Sequence, residues 1–491
     1  MPSIELVMVI ASFLLLLSIV ASKISARVGV PALLLFILIG MLTGSDGPGG
    51  LWFDNYKLAS NISVIALALI LFSGGLDSSL NEIRMVFWPG FILSTVGVLA
   101  TTGTIAIGAH LITGFDLMHS ILIGAIISST DAPAVFGILR SRQIGIPQRL
   151  RSLLEFESGS NDPMAICLTL GMVTILSIPS AGIDTMVGML LMQLAIGAVI
   201  GWLAGKSFVF VIHRFRLEYE GLYPILTSAC AIGTYGLTAV AGGSGYLAVY
   251  LMGIVIGNGS FTHKRSILRF HNAISWLMQI ILFFTLGLLA FPAEIPSIAL
   301  PAIGLSLFIM FVARPIVVAL CLRPFGESWR NIAFSGWVGL KGAVAIVLAT
   351  LPLSTGITGA HEIFNLVFVV VILSLLFQGS TIPWVAKKLG LALPFKEKKN
   401  SPISFETSSE ISSDMVELEL HDCSTVIGMR LRDLSLPEDT LVALIGRAGQ
   451  YIVPRGDTVL EKGDTIFVLA AKGHIESIRD AVSKRTKTSC T

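Results

Sequence analysis

The stretch Glu155-Phe156-Glu157-Ser158-Gly159-Ser160-Asn161-Asp162-Pro163 sets carboxylates, hydroxyls and an amide near the start of an otherwise apolar run, 153–178. A second stretch, Ser128-Ser129-Thr130-Asp131-Ala132-Pro133, sets a further carboxylate and more hydroxyls inside another apolar run. Asp131, Asp162, the hydroxyls of Thr130 and Ser158, and any backbone carbonyl freed beside them are hard oxygen donors. Such donors suit an alkali cation, whereas soft donors would favour a transition metal. A carboxylate held away from water that takes either a proton or a cation couples the two by competition. Exchange is the chemistry open to these residues, and they leave the identity of the ion open.

The depth of these groups gives that chemistry its setting. About 20 apolar residues at about 1.5 Å each cross a bilayer, which puts Asp162 about 14 Å along a hydrocarbon core of about 30 Å. A charge there costs at least about 2.5 kcal/mol, so it persists where it faces a cavity, a partner or a transported ion. Pro133 has no N–H to give the carbonyl of Ser129 and pushes Ala132 out of the helical region, so a helix is expected to open at Thr130–Asp131. Irregular backbone at membrane depth is tolerated where it is buried in protein or lines a cavity. Pro163 likewise releases the carbonyl of Gly159.

Two further charges need partners. The run Gly336-Trp337-Val338-Gly339-Leu340-Lys341-Gly342 places a lysine among glycines near mid-membrane, and Arg314 lies in Phe311-Val312-Ala313-Arg314-Pro315. Glu157 is the expected counter-charge of Arg314, a structural pair locking two helices. Glu157 and Asn161 share one helical face and Ser158 and Asp162 the next, so an ion pair and an ion cavity can sit side by side. Lys341 has two readings, compensation of a helix dipole and tuning of an ion site.

The elements that must position these residues are membrane spans. The chain is 54% hydrophobic and 13% charged, against about 25% charged in a soluble domain. Its net charge of +2 is spread over short loops, which gives no basis for a nucleic-acid partner. Five scattered cysteines (Cys167, Cys230, Cys321, Cys423, Cys490) form neither a disulfide framework nor a zinc site and are expected to be packing residues. Thirteen apolar stretches are legible: 4–22, 30–45, 58–76, 87–112, 117–139, 153–178, 184–212, 221–241, 245–258, 272–291, 296–322, 330–352 and 362–385. The first has no basic residue before it and is read as a retained span.

Alternate loops carry Lys23 and Arg27; Arg84; Arg140, Arg142, Arg149 and Arg151; Arg214 and Arg216; Lys264, Arg265 and Arg269; Arg323 and Arg330, while the other set carries only Lys57. By the positive-inside rule the N-terminus is expected outside and the C-terminus in the cytoplasm. The interrupted spans five and twelve run in opposite directions, the mark of an inverted repeat in which spans 1–6 answer 8–13 and the paired broken helices point to the transport site. Asp131 and Lys341 suit an acid near the N-terminal ends and a base near the C-terminal ends of the half-helices. The expected fold is an all-α polytopic membrane protein of about 13 transmembrane helices with two broken helices, followed by a small α+β cytosolic C-terminal domain.

Residues 1–386 form the membrane domain on this reading, 387–414 a linker rich in Lys, Ser and Glu, 415–484 the soluble domain, and 485–491 a tail. Val416, Leu418 and Leu420 alternate as in a half-buried strand. Segments 441–445, 451–453 and 465–470 read as further strands, and 429–434 and 474–483 as helical. About 70 residues is marginal for independent stability, so dimerisation or docking is expected. His110 and His119 read as ordinary residues near the outer surface.

Thr130-Asp131-Ala132-Pro133, the Glu157-to-Pro163 stretch, Arg314 and Gly339-Leu340-Lys341-Gly342-Ala343 together resemble the monovalent cation:proton antiporters of the NhaP/Na+/H+-exchanger type, over about residues 5–385. The resemblance implies a transporter and no enzyme, with no cofactor beyond the transported K+ or Na+ and H+. It implies a multi-pass homodimer of the cell inner membrane, in contact with lipid, working by elevator-like alternating access. It makes Asp162 the exchanged carboxylate, holding an alkali cation with Asp131; Thr130 and Ser158 are further ligands, with Asn161 and Glu157 in support. The Asn161-Asp162 pair implies electroneutral exchange, and Lys341 departs from the arginine common in this branch. Residues 447–470 are similar to the C-terminal subdomain of RCK/TrkA-type regulators, without a nucleotide-binding Rossmann half. That tilts the choice toward potassium and implies a cytosolic ligand such as a nucleotide, for which Arg447, Arg455 and Lys472 are basic candidates or else a solvated face. Readings still open are a Na+/H+ antiporter, a regulated cation channel and an ion-sensing receptor.

Overall fold

The computed structural model describes residues 4–28, 31–44, 47–50, 53, 55–178, 182–214, 217–261, 263–290, 292–395, 413–420, 424, 426–434, 436–437, 440–447, 450–471 and 478. They fall into two compact units, one of residues 1–259 and 266–396 and one of residues 260–265 and 397–491.

The first unit is helical almost throughout. It opens with α1 (Ile4–Val28), α2 (Ala32–Thr43) and α3 (Tyr56–Asp77), the last started by Asn55, whose side chain accepts from the N–H of Leu58 at 2.9 Å. α4 (Leu80–Ser94) and α5 (Val96–Thr113) meet at Thr95, and Gly114 (φ 76°) ends α5 in the left-handed conformation that costs glycine least. α6 (Leu117–Ile127) and α7 (Ala132–Ser141) are the halves of a helix bent by 44°. Strand β1 (Ile144–Gly145) and α8 (Gln148–Ser177) follow. α8 stays helical through Pro163, which withholds its own N–H from Gly159 without breaking the helix.

Then come α9 (Ile183–Arg214), α10 (Leu222–Val240), α11 (Gly245–Gly257) and α12 (Lys264–Leu288). Lys264, Arg265 and Arg269, expected in a loop, occupy the first turns of α12. α13 (Ile295–Phe308) continues through a π-helical turn, Ile309–Ala313, into α14 (Arg314–Leu322). α15 (Trp329–Trp337) and α16 (Ala343–Thr355) are the second broken pair. α17 (Ala360–Leu373), a π-helical segment Ser374–Gly379 and α18 (Ser380–Lys388) form the last helical run.

Each of the thirteen apolar stretches lies on a helix or helix pair. Among the described residues, six helical runs are long and apolar enough to cross a membrane, and the bent α6–α7 pair makes a seventh.

Small residues let these helices touch. Gly197, Gly201 and Gly205, one turn apart on α9, face α11, where a Cβ on Gly201 would come within 2.4 Å of the carbonyl oxygen of Ala248. Gly75 and Gly253 do the same between α3 and α11, and Gly40 and Gly287 between α2 and α12. Close backbone approach of this kind is how apolar helices gain van der Waals contact where lipid competes equally for oily side chains.

α18 does not run into slack linker at residue 387. Gly390 (φ 69°) ends it, with the N–H of Leu391 donating to Ala386 at 2.9 Å. Strand β2 (Leu393–Pro394) then pairs antiparallel with β1. Past the composition shift at 387, Leu391 is still buried.

The second unit is a four-stranded antiparallel sheet of β3 (Ser413–Glu419), β4 (Leu441–Arg447), β5 (Gln450–Ile452) and β6 (Thr465–Ala471), in the order β3-β6-β4-β5. Leu418, Leu420, Ile445, Leu460, Ile466, Val468 and Ala470 fill one core, as the alternation requires. The helix expected over 429–434 is only a short turn, Leu431–Asp433. Its flanks bond across to another segment: Leu431 N–H donates to Thr458 and Leu460 N–H to Met429, both at 3.0 Å. The helix expected over 474–483 lies outside the described residues apart from Ile478, as do most of the linker, Lys472, Cys423 and Cys490. Cys167, Cys230 and Cys321 are free thiols.

Candidate functional site

The two helix breaks meet. Between α6 and α7 lie residues 128–131, and between α15 and α16 lie residues 338–342. The backbone N–H of Asp131 donates to the carbonyl of Leu340 at 2.9 Å, and the ammonium of Lys341 donates to the carbonyl of Ser129 at 3.0 Å. A Cβ on Gly342 would lie 2.0 Å from Oδ2 of Asp131, so the crossing needs glycine there. Each break thus supplies a partner to backbone that a regular helix would have satisfied internally.

Charges complete the ends. Asp131 caps α7, its Oδ1 accepting from the N–H of Ala134 at 2.9 Å, where a carboxylate suits the positive end of a helix. Lys341 sits on a carbonyl at the opposite, C-terminal end of α6, which favours a cation.

α8 holds the first break from the side. Ser158 Oγ donates to the carbonyl of Thr130 at 2.7 Å and accepts from the N–H of Ala132 at 3.1 Å. Asn161 Nδ2 donates to Thr130 Oγ1 at 2.7 Å, and its Oδ1 faces the N–H of Thr130 at 3.5 Å. Asp162 follows immediately on the same helix and is 7% exposed. Its Oδ1 is buried and has no hydrogen-bond partner among the described residues, while Asp131 and Lys341 are the charges that act on it. Among the side-chain oxygens of Thr130, Asp131, Ser158, Asn161 and Asp162, Oδ1 of Asp162 is the one that is both fully buried and without a hydrogen-bond partner. An unpartnered buried carboxylate oxygen is costly unless something positive reaches it.

Glu157 forms an ion pair with Arg314, the first residue of α14, and both side chains are buried. The arginine lies over the second break, since a Cβ on Gly339 would come within 2.7 Å of its Nε. The structure therefore brings Asp131, Thr130, Glu157, Ser158, Asn161, Asp162, Arg314 and Lys341 into one region of the membrane unit. His110 and His119 take local partners instead, the carbonyl of Phe115 and the carboxylate of Asp116. Among the described residues no group of three or more His, Cys, Asp or Glu could hold a metal ion.

Two residues of this region carried no signal in the sequence. Ser374 and Gln378 lie in the π-helical segment and bond to the second break. A serine and a glutamine in an apolar run resemble ordinary membrane-helix residues, and a π turn leaves no mark in periodicity. In the second unit, Arg447 binds Asp464 through Nε at 2.9 Å and through the second guanidinium nitrogen at 2.8 Å, and it also pairs with Glu461. That guanidinium is committed to holding the β4 end against the turn before β6.

Residues 11–388 match the family described as sodium/hydrogen exchanger, transmembrane, and residues 415–483 match the TrkA-C domain. The chain is 39% identical to the K(+)/H(+) antiporter NhaP of Alkalimonas amylolytica over 99% of its own length and 86% of that protein. It is 36% identical to the K(+)/H(+) antiporter NhaP2 of Shewanella sp. (strain ANA-3), over 99% and 85% respectively. It is 28% identical to the Na(+)/H(+) antiporter ApNhaP of Aphanothece halophytica over 74% of the chain and 70% of that protein. In fold, the sodium proton antiporter MjNhaP1 of Methanocaldococcus jannaschii superposes with a TM-score of 0.68 at 22% identity, covering 77% of this chain and all of that one.

Proposed function

The chain belongs to the sodium/hydrogen exchanger family and is a cation/proton antiporter, not an enzyme; from that premise we propose that it exchanges potassium for protons at Asp162. The observation that carries the site is the buried, unpartnered Oδ1 of Asp162 beside two crossed helix breaks. A proton on that carboxylate or a dehydrated cation against it each neutralises a charge the membrane interior penalises, and the two exclude each other. Asp131, Thr130 and Ser158 are the proposed further oxygen ligands. Asn161 holds the break, Glu157 and Arg314 lock α8 to α14, and Lys341 tunes the local field.

Potassium is favoured by the two relatives named for it, which share the full chain including the TrkA-C domain. The relative named for sodium is more distant. Antiport sets aside the channel and receptor readings.

Finer features go with this reading: thirteen crossings with inverted repeats, an external N-terminus and cytoplasmic C-terminus in the inner membrane, electroneutral elevator-like exchange, and a homodimer. Regulation by a cytosolic ligand such as a nucleotide at the TrkA-C domain completes it. Because Arg447 is bound internally, such a ligand would use other groups of that domain.

The test is proton efflux from sealed proteoliposomes driven by Li+, Na+, K+ or Rb+. Potassium is expected to give the lowest half-maximal concentration. Exchange of sodium at far lower concentrations than potassium would reverse the assignment.

A further inference from the structure

The second helix break is held from two sides, and only one of them belongs to the site described above. Facing the first break, the carbonyl of Leu340 and the ammonium of Lys341 are engaged by Asp131 and Ser129. On the other side, the backbone N–H of Lys341 donates to Ser374 Oγ at 3.0 Å. Ser374 Oγ in turn donates to Gln378 Oε1 at 2.6 Å, and Gln378 Nε2 donates to the carbonyl of Trp337 at 2.9 Å.

This chain of bonds has one polarity from end to end. The hydroxyl has a single proton, which goes to Gln378, so its oxygen is free to accept from Lys341. The glutamine carbonyl accepts that proton, so its amide faces Trp337. The two side chains close a loop around the break, from the last carbonyl of α15 to the N–H of Lys341, two residues before α16. They are 1% and 2% exposed, so water does not substitute for either bond. Trp337 is fixed as well, its Nε1 donating to Thr381 Oγ1 at 3.0 Å. Ser374 and Gln378 begin and nearly end the π-helical segment, the one irregular stretch between α17 and α18. Such π turns cluster at functional sites because they re-aim side chains that a regular helix would place elsewhere.

We infer that Ser374 and Gln378 are positioning residues of the exchange site: they clamp the second break so that the Lys341 ammonium stays on the Ser129 carbonyl beside Asp162. The inference rests on the reading of Asp162 as the exchanging carboxylate. Neither residue touches the ion. Their effect passes through the backbone of Lys341 to its ammonium, and so to the field in which the cation binds.

The experiment compares Ser374→Ala, Ser374→Thr, Gln378→Ala and Gln378→Met with the wild type in the full chain, reconstituted in vesicles, with Asp162→Asn measured alongside. Loss of one buried neutral hydrogen bond from the clamp is expected to raise the cation KM about fivefold, with a smaller change in maximal rate. Ser374→Thr, which keeps the hydroxyl, is expected to restore the wild-type KM. Gln378→Met keeps the length but has no N–H or O–H to give Trp337, and is expected to behave like Gln378→Ala.

Wild-type KM in both alanine variants, or equal impairment of Ser374→Ala and Ser374→Thr, overturns the clamp. If an alanine variant does not fold, the comparison of Gln378→Met and Ser374→Thr with the wild type decides in the same way: a wild-type KM in both overturns the clamp. The Asp162→Asn arm separates the two claims. Exchange that survives this substitution defeats the site reading itself, whereas its loss with unchanged clamp variants defeats only the positioning role.

Discussion

The backbone N–H of Asp131 donates to the carbonyl of Leu340 at 2.9 Å, joining two helix breaks that stand more than two hundred residues apart in the chain. Neither break is stable alone in hydrocarbon, because each exposes backbone groups that lipid cannot satisfy. Together they make a small polar knot in which position is fixed by mutual need.

Gly342→Ala tests how tight that knot is. The added Cβ would meet the Asp131 carboxylate at 2.0 Å, so α7 or α16 must shift. Overpacking of this kind costs about 1–3 kcal/mol. The variant is expected to insert in the membrane but to show a strongly reduced exchange rate and a lower unfolding temperature in detergent. Wild-type flux from a normally stable Gly342→Ala protein would mean that the contact between the breaks is not needed for exchange.

Asp162→Asn keeps shape and most hydrogen-bonding capacity but can neither release a proton nor offset a cation's charge. Folded protein with no coupled exchange is the expected result in sealed vesicles. Asp162→Glu is expected to retain partial activity with a displaced pH profile. In the wild type, raising the cation concentration should move the apparent proton affinity, since both compete for one carboxylate. Robust coupled exchange by the asparagine variant would pass the role to Asp131 or Glu157.

Removing one partner of the Glu157–Arg314 pair leaves a buried charge uncompensated, at a cost of about 3–5 kcal/mol. Glu157→Gln and Arg314→Gln should each lower thermal stability markedly. A double replacement by apolar residues, Glu157→Leu with Arg314→Met, should recover much of the loss. A double variant as unstable as the sum of the two single variants would show that the pair contributes more than mutual neutralisation.

Truncation after residue 395 removes the TrkA-C domain and keeps every helix of the membrane unit together with the β1–β2 pairing. Exchange is expected to persist with altered activation by pH or cytosolic solutes. A well-inserted truncated protein with no exchange at all would make the domain part of the transport path.

Much of the site was legible because the bilayer makes polar residues conspicuous. Pro133 announced the first break, the glycines around Lys341 announced the second, and Arg314 needed an acid that Glu157 supplies. The strands of the soluble domain followed from period-2 alternation. What stayed hidden depends on the third dimension. That Asn161 and Ser158 grip opposite sides of Thr130, and that Ser374 and Gln378 grip the second break, follows from which helices become neighbours. No local pattern encodes that. The helix expected at 429–434 failed for a related reason: its backbone found partners in 456–460, and tertiary pairing outweighed local preference.

The short ribbon of β1 and β2 gives the membrane unit an unusual mooring. Residue 395 leaves that unit from a strand laid along Ile144 and Gly145, not from the free end of α18. The ribbon lies in the loop at 142–147, the joint between α7, which Asp131 caps, and α8, which carries Asp162. A pull on residue 395 would therefore be felt first at the joint between the two helices that frame the first break.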